Sequence, residues 1–177
     1  MLATDEFVFV HLPKTGGAFL RWAIQETMDA RDCGQHPSYR QVPPEFSHLP
    51  AVCFERNPWD WYVSLWAYRR REGSDETFSD LLHRSFARRP DYYMRLFTRI
   101  AEKGVREGRI ELGKFEHLRE DFVSFLDRHQ IEAAGLRELV LTAAPYNVSE
   151  RRDYRSYYDA GLREVVAASR MARHYEF

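Results

Sequence analysis

The chain has 177 residues, 44% hydrophobic and 15% aromatic, enough to bury one core, which excludes a disordered or fibrous polymer. Its 26 basic and 27 acidic residues leave a formal charge of −1, which excludes the strongly basic footprint of a dedicated nucleic-acid binder. The two cysteines, Cys33 and Cys53, belong to no Cys/His cluster at ligand spacing, so neither a disulfide framework nor a metal site is expected and a reducing, cytoplasmic setting is.

The run Phe7-Val8-Phe9-Val10-His11-Leu12 is apolar, rich in β-branched and aromatic residues and stopped by Pro13. It predicts a buried parallel strand ending in a loop. The run is too short to span a membrane and has no basic leader, so neither a membrane anchor nor a signal peptide is expected. After Gly16 and Gly17, the residues Leu20, Ala23, Ile24, Thr27 and Met28 recur at helical spacing. Asp32 to Pro50 reads as loop with one short strand near Ser38 to Val42. Ala51 to Glu55 predicts a second buried strand, and Asn57 and Pro58 start a helix as N-cap and first helical residue. Trp59, Tyr62, Val63 and Trp66 form that helix's apolar stripe.

Phe78 to Lys103 is helical by pattern and arginine-rich, at a point where an α/β domain can carry an insertion that shapes an acceptor site. Arg109 to Phe115 predicts a further strand, and Glu116 to His129 a helix with Leu118, Phe122, Phe125 and Leu126 on one face. The sequon Asn147-Val148-Ser149 is a three-residue pattern common by chance and uninformative without secretion. From Tyr154 on, Tyr158, Leu162, Val165, Val166 and Ser169 fall at helical spacing. Two strand-turn-helix units predict an α/β fold: a single domain over residues 1–177 with a P-loop-like parallel sheet of about four to five strands, flanked by helices, and ligands at its carboxyl edge.

The first turn carries chemistry. A glycine loop between strand and helix exposes backbone N–H groups and the positive end of the helix dipole, and so can cradle a phosphate or sulfate. Lys14, Thr15, Gly16, Gly17, Ala18 and Phe19 stand there. Lysine adds a point charge, threonine a hydroxyl, and the glycines let an anion approach the backbone. Among the 26 basic residues only Lys14, Lys103 and Lys114 are lysines, which singles out the one at the turn. The nucleotide-hydrolysing loop G-x-x-x-x-G-K-[ST] does not match, because Pro13 precedes the lysine and no glycine lies upstream in the strand.

The second turn pairs Arg56, at the carboxyl end of the second strand, with Ser64, about two turns along the next helix. Arginine forks onto phosphate and serine adds a hydrogen bond, and helical side chains lean back toward the N-terminus, so both can reach one anion.

His11-Leu12-Pro13-Lys14-Thr15-Gly16-Gly17 resembles the 5'-phosphosulfate loop of the carbohydrate-type sulfotransferases that use 3'-phosphoadenosine 5'-phosphosulfate (PAPS). Arg56-Asn57-Pro58-Trp59-Asp60-Trp61-Tyr62-Val63-Ser64 is similar to the 3'-phosphate motif of the same family, in the expected order. Two departures stand out: Ala18 replaces the usual threonine or serine, and Trp61 stands where arginine is frequent, a change read as peripheral. Phe115-Glu116-His117-Leu118 and the stretch from Asn147 through Tyr157-Tyr158 to Tyr175-Glu176-Phe177 resemble the family's later segments more loosely.

The resemblance implies transfer of a sulfuryl group from PAPS to a hydroxyl of a sugar or other small metabolite, in line, with PAP as product and no metal. It implies Lys14 as the residue stabilising the leaving oxygen, and Arg151 and Arg152 as residues closing over the 3'-phosphate. A histidine in the loop between the two motifs is expected to be the general base. His36 fills that place, with His11, His48 and Glu55 as competitors. Two other readings stay open: a nucleotide kinase or NTPase with an irregular loop and Glu55 in a Walker B-like place, and a non-catalytic PAP-binding module of the same fold.

Overall fold

A computed structural model of the chain describes residues 1–144 and 151–177. In chain order its elements are β1 (Leu2–Ala3), β2 (Val8–Val10), α1 (Gly17–Thr27), β3 (Arg31–Asp32), β4 (Ala51–Glu55), α2 (Pro58–Arg71), α3 (Phe78–Phe86) and α4 (Tyr92–Phe97). A π-helical turn (Thr98–Glu102) then leads to α5 (Lys103–Arg106), β5 (Ile110–Lys114), α6 (Leu118–Arg128), α7 (Ala134–Thr142) and α8 (Ala160–Ala167). The sequon at Asn147 lies outside the described residues.

The chain forms an α/β fold around a five-stranded sheet in the order β3-β1-β2-β4-β5. The centre is parallel as expected: β2 pairs with β4 through Phe9↔Val52, and β4 with β5 through Cys53↔Leu112. The edge differs from a purely parallel expectation, because the two-residue strands β1 and β3 join antiparallel through Leu2↔Phe9 and Leu2↔Asp32. The expected strand near Ser38 is instead a 3₁₀ turn, Tyr39–Gln41. Ser38 caps it by accepting from Arg40 N–H at 3.3 Å, and Gln41 Oε1 accepts from Ser38 N–H at 2.9 Å. This reciprocal cap satisfies local donors and outcompetes a ladder.

By contact the described chain divides into two compact units, Met1–Glu55 with Phe97–Asn147, and Arg56–Leu96 with Val148–Phe177. The first unit holds the whole sheet. One sheet face, with Phe9, Val52 and Phe54, packs on Leu20 and Ile24 of α1, Phe122 and Phe125 of α6, and Leu136 and Val140 of α7. Phe7 meets Phe122 and Phe125 edge-on, with ring centroids 5.9 Å apart in both cases.

The second unit is an aromatic core around α2. Trp61 is fully buried and stacks on Tyr93 at 4.3 Å, so it is part of this core rather than a peripheral surface position. A buried carboxylate, Asp91, accepts from Tyr62 Oη at 2.9 Å, Ser169 Oγ at 2.8 Å and Met94 N–H at 3.1 Å. Each buried donor is thereby satisfied, which is what makes burying this charge tolerable. Among the described residues, no helix is long and apolar enough to cross a membrane.

Candidate active site

The first unit positions the glycine loop at the carboxyl end of β2. Lys14 takes the left-handed conformation at φ 66°, which costs a non-glycine residue about 1 kcal/mol or more. Thr15 is buried and its hydroxyl donates to Leu12 O at 2.8 Å, pinning the turn from inside. The one hydroxyl proton of the loop is therefore engaged with the protein's own backbone.

Gly16 caps α1 at φ 77°, a conformation that favours glycine, and no side chain caps the helix's first turn. Phe19 and Leu20 N–H return to Gly16 O at 3.0 and 3.3 Å. The groups the turn offers an anion are thus the N–H groups of Gly16, Gly17 and Ala18, at the positive end of the helix dipole. Phe19, expected beside the cofactor, buries its side chain in the core beneath the Arg119 guanidinium, 5.0 Å from the ring centre.

Gly17 has a second reason to lack a side chain. A Cβ there would stand 1.9 Å from Cδ2 and 2.1 Å from Nε2 of His11. His11 is 9% exposed, and burial first, then the neighbouring His36, push its imidazole down to about 2. It is a neutral wall of the loop.

His36 sits against that wall. Its ring lies 4.5 Å from the His11 ring, edge to face, and its Nδ1 is 3.1 Å from His11 O. A carbonyl only accepts, so Nδ1 carries the proton and Nε2 carries the lone pair. Burial also holds the His36 pKa below the usual histidine value. His48 is exposed, and Glu55 is buried at the end of β4. Among the described residues there is no group of three or more His, Cys, Asp or Glu side chains that could hold a metal.

Two surface clefts of this unit lie near the amino end of β2 and the C-terminal end of α1, and beside the α6–α7 turn. The first is lined by Asp5, Glu6, Asp29 and Glu132, a charge that disfavours an anionic ligand, whereas in the second Arg137 pairs with Asp127 at 2.6 Å beside Glu132.

The second unit carries the expected 3'-phosphate residues. Asn57 caps α2 by accepting from Trp59 N–H at 3.0 Å, which fixes how the chain leaves Arg56. Arg56 N–H donates to Tyr93 Oη at 2.8 Å, and the same hydroxyl donates to Arg56 O at 3.2 Å. The guanidinium of Arg56, 7% exposed, places Nε 2.8 Å and Nη2 2.5 Å from Asp60 Oδ2.

Arg151 Nη1 lies 2.5 Å from Asp60 Oδ1, so the two arginines expected at one phosphate converge on one carboxylate. Ser64 is buried one turn beyond Asp60 on the same helix face. Arg152 goes elsewhere: it is exposed and stacks over Tyr157 at 5.4 Å. Asp60 is the site residue that no motif singles out, and its spacing of four from both Arg56 and Ser64 is the sequence signal that points to it.

No family model matches the chain, and no curated protein matches it in sequence. Among solved structures, the fold is similar to that of a mouse protein described as sulfotransferase SULT7A1 complexed with PAP, at TM-score 0.59 and 16% identity. That similarity covers 96% of this chain and 87% of the mouse one, so the α/β architecture is shared along almost the whole length.

Proposed function

We propose that this chain is a PAPS-dependent sulfotransferase acting on a hydroxyl acceptor, a sugar or another small hydroxylated metabolite, and that residues 1–177 make one catalytic domain. The observation that carries this is the loop after β2: a left-handed lysine, a helix N-terminus with no side-chain cap and glycines packed too closely for any Cβ. Its fold neighbour was solved with PAP, which agrees. Cys33 and Cys53 are free thiols, which fits a cytoplasmic setting.

In this reading the N–H groups of Gly16, Gly17 and Ala18 hold the phosphosulfate end, with Thr15 bracing the turn and Phe19 anchoring its helix. Arg56, Ser64 and Arg151 take the 3'-phosphate, and Arg152 approaches from the surface. Bound PAPS supplies the sulfuryl group, whose bond to the 5'-phosphate breaks as the bond to the acceptor oxygen forms. Lys14 stabilises the charge left on the departing phosphate oxygen. His36 Nε2 takes the acceptor's proton; its lowered pKa keeps it neutral at working pH, as a general base must be. His11, pushed to about 2, is too weak a base for that role. A sulfuryl group carries less charge than a terminal phosphoryl, so lysine and backbone N–H groups suffice without a metal.

The test is release of PAP from PAPS across a panel of hydroxylated acceptors, followed by chromatography. Release in the presence of at least one acceptor, lost in Lys14→Ala and in His36→Gln, is the expected result. PAPS left intact while ATP with magnesium is hydrolysed would move the chain to the nucleotide-hydrolase class.

A further inference from the structure

Three charged side chains of the second unit meet in a nearly dry place. Arg56, Asp60 and Arg151 are 7%, 14% and 17% exposed; Asp60 Oδ2 accepts two hydrogen bonds from Arg56, while Oδ1 lies 2.5 Å from Arg151 Nη1 as an ion pair without hydrogen-bond alignment. Two guanidiniums this close repel each other, and the repulsion is strong where water is scarce. One carboxylate between them offsets that repulsion and holds the two guanidiniums side by side.

The segment carrying Arg151 is fixed independently. Tyr158 Oη donates to Trp59 O at 2.8 Å, and Asn57 Nδ2 donates to Tyr154 Oη at 3.4 Å, both at the start of α2. Because these bonds locate the backbone, what Asp60 adds is the direction of the Arg56 fork and the charge that draws the Arg151 guanidinium beside it. Orientation settled before binding reduces the ordering cost of binding.

We propose that Asp60 is a positioning residue which aims Arg56 and Arg151 and thereby sets the preference for 3'-phosphorylated over plain adenosine 5'-nucleotides. This rests on the sulfotransferase reading above. It assigns no ligand contact to Asp60 itself, since a carboxylate repels a phosphate.

The experiment is calorimetric titration of the full chain with PAP and, separately, with AMP, for the wild type, Asp60→Asn and Asp60→Glu, each first checked by thermal melting. Asp60→Asn keeps the shape and removes the charge that holds the forks. The expected result is a loss of about tenfold or more in PAP affinity, the scale of one charge-assisted hydrogen bond, with AMP affinity unchanged and partial recovery in Asp60→Glu. PAP and AMP weakening together would reduce Asp60 to a structural ion pair, and PAP affinity unchanged in a folded Asp60→Asn would overturn the proposal outright. A wild type that binds AMP as well as PAP would instead defeat the underlying sulfotransferase reading.

Discussion

The loop after β2 and the arginine cluster at the start of α2, which the proposed function assigns to the two ends of one anionic cofactor, are built from different materials. The loop is backbone: its donors are N–H groups, its shape comes from two glycines and a left-handed lysine, and the His11 ring leaves no room at Gly17. The cluster is side chain: two arginines held by one carboxylate. A backbone site is rigid and intolerant of added atoms, whereas a side-chain site tolerates change in proportion to the charge geometry lost.

The largest expected effect tests that intolerance. Gly17→Ala drives a methyl into a buried imidazole, an overpacking worth about 1–3 kcal/mol in denaturant unfolding, with loss of PAP binding. Unchanged stability would mean that the His11 wall yields.

Next comes a pH effect from the same wall. His11 falls from the ordinary 6.5 to about 2 on folding. Below pH 6.5 the unfolded chain gains a proton that the folded chain refuses, so stability drops as pH falls, by about 1.4 kcal/mol per unit, down toward the folded value. Stability measured from pH 7 to 5 should show this slope, and His11→Asn should lessen it by one proton. An identical slope in the variant would place the titration elsewhere.

On the cluster side, Arg56→Lys keeps a charge beside Asp60 but loses the fork. PAP affinity should fall by about tenfold with little change in melting temperature, a smaller effect than any insertion into the loop. Smallest is a gain. Ala18 is only half-buried, so Ala18→Thr should fit and tighten PAP binding a few-fold by adding a hydroxyl. A loss at Ala18→Thr comparable to Gly17→Ala would erase the contrast between the two positions.

This division also explains what could be read from the residues alone. The central strands were legible because β2 and β4 are buried on both faces and so appear as unbroken apolar runs. The loop was legible because glycine, proline and lysine write backbone shape directly into sequence. The edge strands β1 and β3 were not, since two residues carry no period. The turn at Tyr39–Gln41 was mistaken for a strand because its cap depends on two side-chain hydrogen bonds that periodicity does not register. Trp61 was placed outside the apolar stripe because a stripe assumes one buried helix face. Instead α2 buries Trp59, Trp61, Tyr62 and Val63 together, with Tyr93 and Phe177 among the rings against them. Asp60 was legible only in part: its spacing of four from Arg56 and Ser64 stands in the sequence, but its pairing with Arg151, ninety-one positions away, comes only with the fold.

The most direct test of the central claim is the melting temperature of the purified chain with PAP, with AMP, and with ATP plus magnesium, repeated with PAP for Lys14→Ala and Arg56→Lys. A ligand at about 100 times its dissociation constant adds roughly 2.7 kcal/mol, readily measured as a shift. Expected are a clear rise with PAP, a smaller one with AMP, and a PAP shift abolished by Lys14→Ala and reduced by Arg56→Lys. No rise with PAP, alongside stabilisation by ATP with magnesium, would contradict that claim.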